Sequence, residues 1–339
     1  MTVTVCAQEL LDVAARNGTA ISREEIDGIL SFVQERIDSR GRAVGEADLN
    51  ELIEAGRQFS QQAKINAAIE KRNRLINARA YGNIMTAIRA EPDNPSKVLS
   101  AILVGDARRG LFSVDAKQKS IFVDHSAALA AALQRNDLLA IFRTNELDGE
   151  IYRELFDGLG TSGSAEARQI AEAIQKVQKR LLDRKNRNGA NIGELANYVV
   201  RQNHDSLLLR GKGTQEDKDT WINTIRELLD EEKTYANKPS NKTEIEFLSD
   251  IYDNLVSGNH MKADSINGVD GSTVAFTGPV NLAKKMSAER ILHFKDGQSA
   301  FAYANKYSRM KLSEAVYQGI SHDAQNIGLL ETFGTNPKA

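Results

Sequence analysis

SREEIDGILSFVQERIDSRG, residues 22–41, is the stretch on which the fold turns. Ser22 with Glu25 three residues on is the pattern of a capping box, which satisfies two of the amides left bare at a helix start. Ile26, Ile29, Leu30, Val33 and Ile37 then recur at intervals of three and four, so a helix here has one apolar face, and Gly41 ends it. The same writing continues outward. From about Glu46, Leu49, Leu52, Ile53, Phe59, Ile65, Ala68 and Leu75 keep a helical period among many polar residues, which predicts a long helix packed on one side only. EPDNPSK, residues 91–97, holds two of the five prolines and marks a turn before the apolar run Val98 to Val104.

Between Gly110 and His125 the rhythm changes. Leu111, Ser113, Ile121 and Val123 alternate with other side chains and KQKS can serve as a turn, so one small β-hairpin near residues 110–124 is the only departure from helix that the sequence allows. Helical spacing resumes at Ser126 and runs to about Gly158. Another helix opens at Ser164, with Glu166 in its first turn, and ends at the loop NRNGAN. Asn191 and Glu194 form a capping-box pattern ahead of LANYVVRQN, and Thr214 opens an acidic first turn before the single tryptophan, Trp221. Residues 234–241, with Pro239, read as a linker, and Asn241 to Glu244 cap IEFLSDIYDNLVSG. Residues 258–280 are poor in apolar side chains and read as a long exposed loop. Ser287 caps a further helix, Asp296 starts the next, and a last segment covers Leu312 to Phe333. The expected fold is therefore all-α, an elongated array of helical hairpins or bundles, in three parts: 1–90, 91–235 and 236–339.

Composition narrows the function. Forty-four basic and 46 acidic residues leave a net charge of -2, so no overall attraction to nucleic acid or an anionic membrane exists, though local patches remain open. One cysteine, Cys6, excludes an intramolecular disulfide and a Cys-rich metal site. The start, MTVTVCAQELLDVAARNG, has no basic leader and Glu9 interrupts its apolar run, so synthesis without a secretory signal is expected. No run of apolar residues reaches the length of a spanning helix.

Each motif with a chemical reading also has a plainer one. Gly158, Gly160 and Gly163 spell GxGxxG with Asp183 downstream, but a dinucleotide site requires a buried apolar strand before it, and IYRELFDG is charged and helical in spacing. A helix end followed by a helix start is the expectation. Asp124-His125, His204-Asp205 and His322-Asp323 are neighbours that point about 100° apart on a helix, so none chelates a metal alone. Basic residues cluster at Lys71, Arg72, Arg74 and Arg79, and again at Lys176, Lys179, Arg180, Arg184, Lys185 and Arg187. Of the second set, 176, 180, 184 and 187 make one helical stripe able to follow phosphates, although a solvated face is the commoner meaning. Tyr303, Tyr307 and Tyr317 are expected to pack helices together rather than stack bases. No catalytic, cofactor-binding or metal-binding residue is nominated, no cofactor is expected, and the chain reads as a non-enzyme. An envelope-degrading enzyme with an unrecognised acid pair and a DNA-binding helical module are the alternatives.

The last fifty residues are the distinctive ones. His293-Phe294-Lys295-Asp296, then Tyr303 and Tyr307, then Ile320 through Leu330 leading to Gly334, Asn336 and Pro337, resemble the large internal virion proteins of short-tailed bacteriophages, the core or ejection proteins packed at the portal. AILVGDARRGLFSVDAKQKS, GSAEARQIAEAIQKV with NRNGANIGELANYVVRQNHD, and DTWINTIRELLDEEKTY with the SDIYDNLVSG helix follow in the order of that group, so the likeness covers roughly residues 75–337. It implies a homo-oligomeric ring or stack inside the capsid, contacts with the portal or other core proteins and non-specifically with phage DNA, and a place in the host periplasm or envelope after ejection. Chains of that group are usually much longer, and the first 75 residues here have no counterpart in it. The group's peptidoglycan-cleaving domain, where present, is a separate one, and no lysozyme-like Glu motif occurs here.

Overall fold

The computed structural model describes residues 23–40, 46–106, 113–194, 198–199, 205–236, 238–257 and 291–335. Among these the chain is helical, with no strand beyond a single antiparallel bridge between Leu229 and Phe294. It divides into two compact units, Met1–Leu75 and Ile76–Ala339.

In the first unit α1 (Arg23–Arg40) lies against the start of α2 (Glu46–Ala90). Ile26, Ile29 and Val33 bury with Leu52, the period that the sequence set out, and Phe32 stacks on Phe59 with ring centroids 4.9 Å apart. The two helices approach at Gly56, where a Cβ would stand 3.0 Å from the Ile29 side chain. The cluster is small, and every residue from Gln61 to Ala68 is exposed. Ser22 lies outside the described residues.

The second unit is built on α4 (Val114–Gln134), α7 (Ala165–Arg187) and α13 (Leu312–Phe333), with α6 (Asp148–Phe156) and α12 (Gly297–Tyr307) packed alongside. Leu129, Leu133, Phe142, Ile151, Ile174 and Leu181 are among its fully buried side chains, each stabilising by about 1.5–3 kcal/mol on burial. Two glycines set its closest crossings. A Cβ on Gly328 would meet the Val114 carbonyl at 3.2 Å, and one on Gly297 would meet the Arg153 Cα at 2.7 Å, so α12 starts hard against the end of α6. A second cluster joins α9 (Gln215–Leu228) to α11 (Glu244–Val256), where Trp221, Ile225, Leu248 and Tyr252 pack with Tyr303 and Tyr307 of α12. Phe294 touches both clusters, held by hydrogen bonds from Asp230 N to His293 O and from Lys295 N to Leu228 O. The short α3 (Pro95–Val104), α5 (Leu139–Thr144), α8 (Ser206–Arg210) and α10 (Glu231–Tyr235) complete the set.

Several local expectations are corrected. The hairpin near residues 110–124 does not form where the chain is described: Ser113 accepts a hydrogen bond from Ala116 N as the cap of α4, and Val114 and Ile121, seven apart, both bury on one helical face. Leu111 lies outside the described residues. No helix starts at Asn191, which sits in the left-handed region (φ 54°) and donates its side-chain amide to Gly189 O, while Glu194 pairs with Lys179 at 3.0 Å. Residues 195–197 and 200–204 of that expected helix are outside the described set. The linker at 234–241 begins with the last turn of α10, where Thr234 is buried and donates to His293 O. The cap of α11 is Thr243 with Glu246, two residues after the expected Asn241, since that pair closes both reciprocal hydrogen bonds. The helix expected to follow Ser287 does not include Phe294, which belongs instead to the isolated bridge. Ser287 and the expected loop 258–280 fall outside the described residues, whereas Asp296 caps α12 as its sequence position suggests.

Candidate functional site

The GxGxxG loop is an anion nest whose anion is its own. Gly158, Gly160 and Gly163 take φ values of 111°, 92° and 79°, which turn the loop back over the end of α6. Glu154, fully buried, receives the Gly160 amide, the Ser162 amide at 2.7 Å and the Ser162 hydroxyl. Burial alone pushes this carboxyl up, but the donors from Ser162 and Gly160 together outweigh it and hold the group below the ordinary carboxylate range. Amides that would approach a pyrophosphate are already occupied, and Ser164 goes on to cap α7 by accepting from Ala167 N. The plain reading of a helix end and a helix start is what forms, with a buried carboxylate added.

Among the described residues none of the His-Asp neighbours converges on a shared site. His125 Nδ1 lies 2.9 Å from Ile121 O of its own helix, and Asp205 caps α8 while pairing with Arg309 at 2.7 Å. His322 faces Asn326, and Asp323 turns the other way to Lys185; His204 is outside the described residues. Among the described residues no three His, Cys, Asp or Glu side chains gather as a metal would require. Tyr303 and Tyr307 are buried with centroids 5.0 Å apart, Phe294 is 5.1 Å from Tyr303, and burial pushes the Tyr303 phenol up. Tyr317 tilts against Phe142 at 6.4 Å. These rings join helices.

The stripe on α7 is broken by its neighbours. Arg184 binds Glu331 at 2.9 Å, and Lys185, nearly inaccessible, binds Asp323 at 2.8 Å, both acids reaching across from α13. Lys179 pairs with Glu194, and Lys176, Arg180 and Arg187 lie on the exposed face. At the same seam Lys117 Nζ donates to Thr332 at 2.8 Å; burial lowers its pKa, Glu331 opposes that, and Arg184 adds to it. Lys71, Arg72, Arg74 and Arg79 of α2 are all exposed, Arg74 beside Glu70 at 3.3 Å.

One carboxyl is strongly perturbed by its burial. Asp148 at the start of α6 is buried, and burial pushes its pKa up to about 6 against the Leu312 amide and the Lys311 charge, which both lower it. Its Oδ2 accepts from Leu312 N at 3.3 Å and its Oδ1 has no hydrogen-bond partner. Asn145, one turn earlier, accepts from Ser313 at 2.8 Å, so the pair fastens the start of α13 to the α5–α6 corner. This is a helix-docking contact. Nothing local in the sequence marks Glu154, Asp148 or Lys185 among so many charged residues. Among the described residues no helix is long and apolar enough to cross a membrane. No family model, curated protein or solved structure matches the chain.

Proposed function

We propose that the chain is a structural internal virion protein of a tailed phage, assembled as a ring or stack with portal or core proteins and ejected with the genome to help form a conduit across the host envelope. The observation that carries the reading is the resemblance of residues 293–337, taken with where those residues sit. Phe294 packs against both clusters of the second unit, Tyr303 and Tyr307 bury in the second of them, and Ile320, Ile327 and Leu330 form the buried side of α13. The stretch that carries the resemblance is thus the stretch around which this unit closes.

Helices held by local caps and small clusters also suit a protein that must pass a narrow channel. Local contacts reform quickly after unfolding, whereas non-local β pairing is slow. Thr214–Asp217 and Thr243–Glu246 are such self-contained starts, each closed by both capping-box bonds.

The test is mass spectrometry of purified, nuclease-treated virions before and after triggered genome release. The expected result is this chain in full capsids and its loss from emptied ones. Absence from particles, or retention in emptied capsids, overturns the reading.

A further inference from the structure

The C-terminus of α7 is closed by a turn that suits glycine. Ala190 N donates to Lys185 O and Gly189 N to Asn186 O, each at 3.1 Å, the paired bonds that reverse a chain at a helix end. The reversal puts Gly189 at φ 87°, a left-handed conformation that side chains disfavour, and Gly189 and Ala190 are both buried. Asn188 completes the cap: its Nδ2 donates to Arg184 O at 2.9 Å and reaches Glu331 Oε1 of α13 at 3.4 Å. Helix termination therefore sets an asparagine directly before a glycine, one of three such pairs in the chain and the one that lies within the described residues.

An asparagine followed by glycine is chemically labile in water. The glycine amide nitrogen, having lost its proton to base, attacks the asparagine Cγ; a C–N bond forms, ammonia leaves, and water opens the succinimide ring at either carbonyl to give aspartate or isoaspartate. Glycine puts no side chain in the way of that attack. Ring closure needs Cβ and the following nitrogen to eclipse about the Cα–C bond, a ψ of about -120° at an L residue. Asn188 has ψ 14°, so that bond must turn by roughly 130°. The rotation carries Gly189 and Ala190 with it and breaks both bonds of the turn, so the reaction waits for the end of α7 to open.

We infer that Asn188–Gly189 is a latent site of spontaneous deamidation: the fold holds it closed, opening of the α7 C-terminus releases it to react, and the carboxylate formed beside Glu331 then opposes reclosure of α7 against α13. The product is unwelcome for three reasons. It replaces a donor toward Arg184 O with an acceptor, it lies against Glu331, and it adds negative charge to a helix C-terminus. The Arg184 guanidinium that could offset it is already held by Glu331 at 2.9 Å. Isoaspartate in addition lengthens the main chain within the turn. One opening thus leaves a permanent mark at this seam. The inference rests on the geometry of the turn and stands whether or not the chain is a virion protein.

The test incubates the full chain in heavy-oxygen water at mildly alkaline pH, once folded and once in urea, and reads the labelled product at Asn188 by peptide mass spectrometry. Asn188 should convert at least about tenfold more slowly in the folded chain, where only the open fraction reacts, than in urea. In urea Asn17 and Asn267, each also followed by glycine, should convert alongside it. Equal rates in the two states, or an unreacted Asn188 in urea beside converted Asn17 and Asn267, overturn the inference. Asn188→Asp supplies one product directly. It should lower the urea midpoint of the full chain, and by less when Glu331→Gln removes the facing carboxylate. An unchanged midpoint, or the same fall in both backgrounds, overturns the opposition to reclosure.

Discussion

Two helices in this protein carry basic stripes, and they end up doing opposite things. On α7, Arg184 and Lys185 are drawn to Glu331 and Asp323 of α13, while Ala167, Ile170, Ile174, Val177 and Leu181 bury along the same helix. On α2, Lys64 pairs with Glu25 of α1, and Lys71, Arg72 and Arg79 lie exposed on the helix surface. Both helices concentrate basic residues within a few turns. What separates them is the element across the way, which lies 138 and 147 residues downstream for Lys185 and Arg184. A charge pattern within one helix fixes which side the charges share; only the packing partner decides whether they are drawn under a neighbouring helix or lie at the surface.

The largest way to break the comparison is at Lys185. Its side chain is 5% exposed and Asp323 is 18% exposed, so removing the cation leaves a mostly desolvated carboxylate without its counter-charge. Lys185→Ala should cost about 3 kcal/mol in urea unfolding, whereas the double change to Lys185→Met with Asp323→Leu should recover most of that loss by replacing both charges with packing. If Lys185→Ala unfolds at the same urea concentration as the parent, the pair does not fasten α7 to α13 and the contrast with α2 loses its physical basis.

The same contrast explains what was legible beforehand. The all-α class, the face of α1, the starts at Ser164, Thr214 and Asp296 and the packing role of Tyr303, Tyr307 and Tyr317 depend on residues within a turn or two, where 3.6-residue spacing and cap chemistry suffice. Ser113 was misread for a related reason. Ser113 and Ile121 alternate with other residues as a strand would, but the cap bond to Ala116 and the seven-residue interval from Val114 to Ile121 fit a helix better, and burial against α13 selects it. Glu154 could not be singled out, since what distinguishes it is a loop that folds back onto it. Asp148 and Lys185 depend on partners contributed by α13.

Asp148 sharpens the comparison as a third case, a buried charge that accepts a main-chain amide instead of a salt bridge. Its pKa in the folded protein, about 6, lies above the ordinary value of 3.8, so the ionised form is the disfavoured one in the fold. Above pH 6 the carboxylate therefore costs stability, on the order of 2 kcal/mol, and that cost is relieved as pH falls through 6 toward 4. Asp148→Asn removes the charge and keeps an acceptor for Leu312 N, so it should raise the thermal midpoint at pH 7.5 and lose that advantage near pH 4.5. Reading the difference between variant and parent matters, because Asp217, Glu246 and Asp296, held low by their cap hydrogen bonds, impose the opposite slope on both proteins at acid pH. A constant difference across that range would mean that the fold does not raise the Asp148 pKa above its ordinary value.

The smallest expected effect is the one that separates the two stripes most cleanly. Reversing Lys71, Arg72 and Arg79 changes residues that are exposed on a helix, and substitutions at such sites away from caps and cores usually fall within about 0.5 kcal/mol. Arg184→Glu on α7, by contrast, places a second carboxylate against Glu331 where an ion pair had been, at positions 30% and 22% exposed, and should cost about 1–2 kcal/mol. Urea midpoints for the two variants should therefore move apart: the α2 variant keeps the midpoint of the parent and the α7 variant falls below it. That divergence is what basic residues at the surface and basic residues against a packed helix must produce. If both variants lose stability equally, the face of α2 is engaged within the folded chain, and its charges are as structural as those of α7.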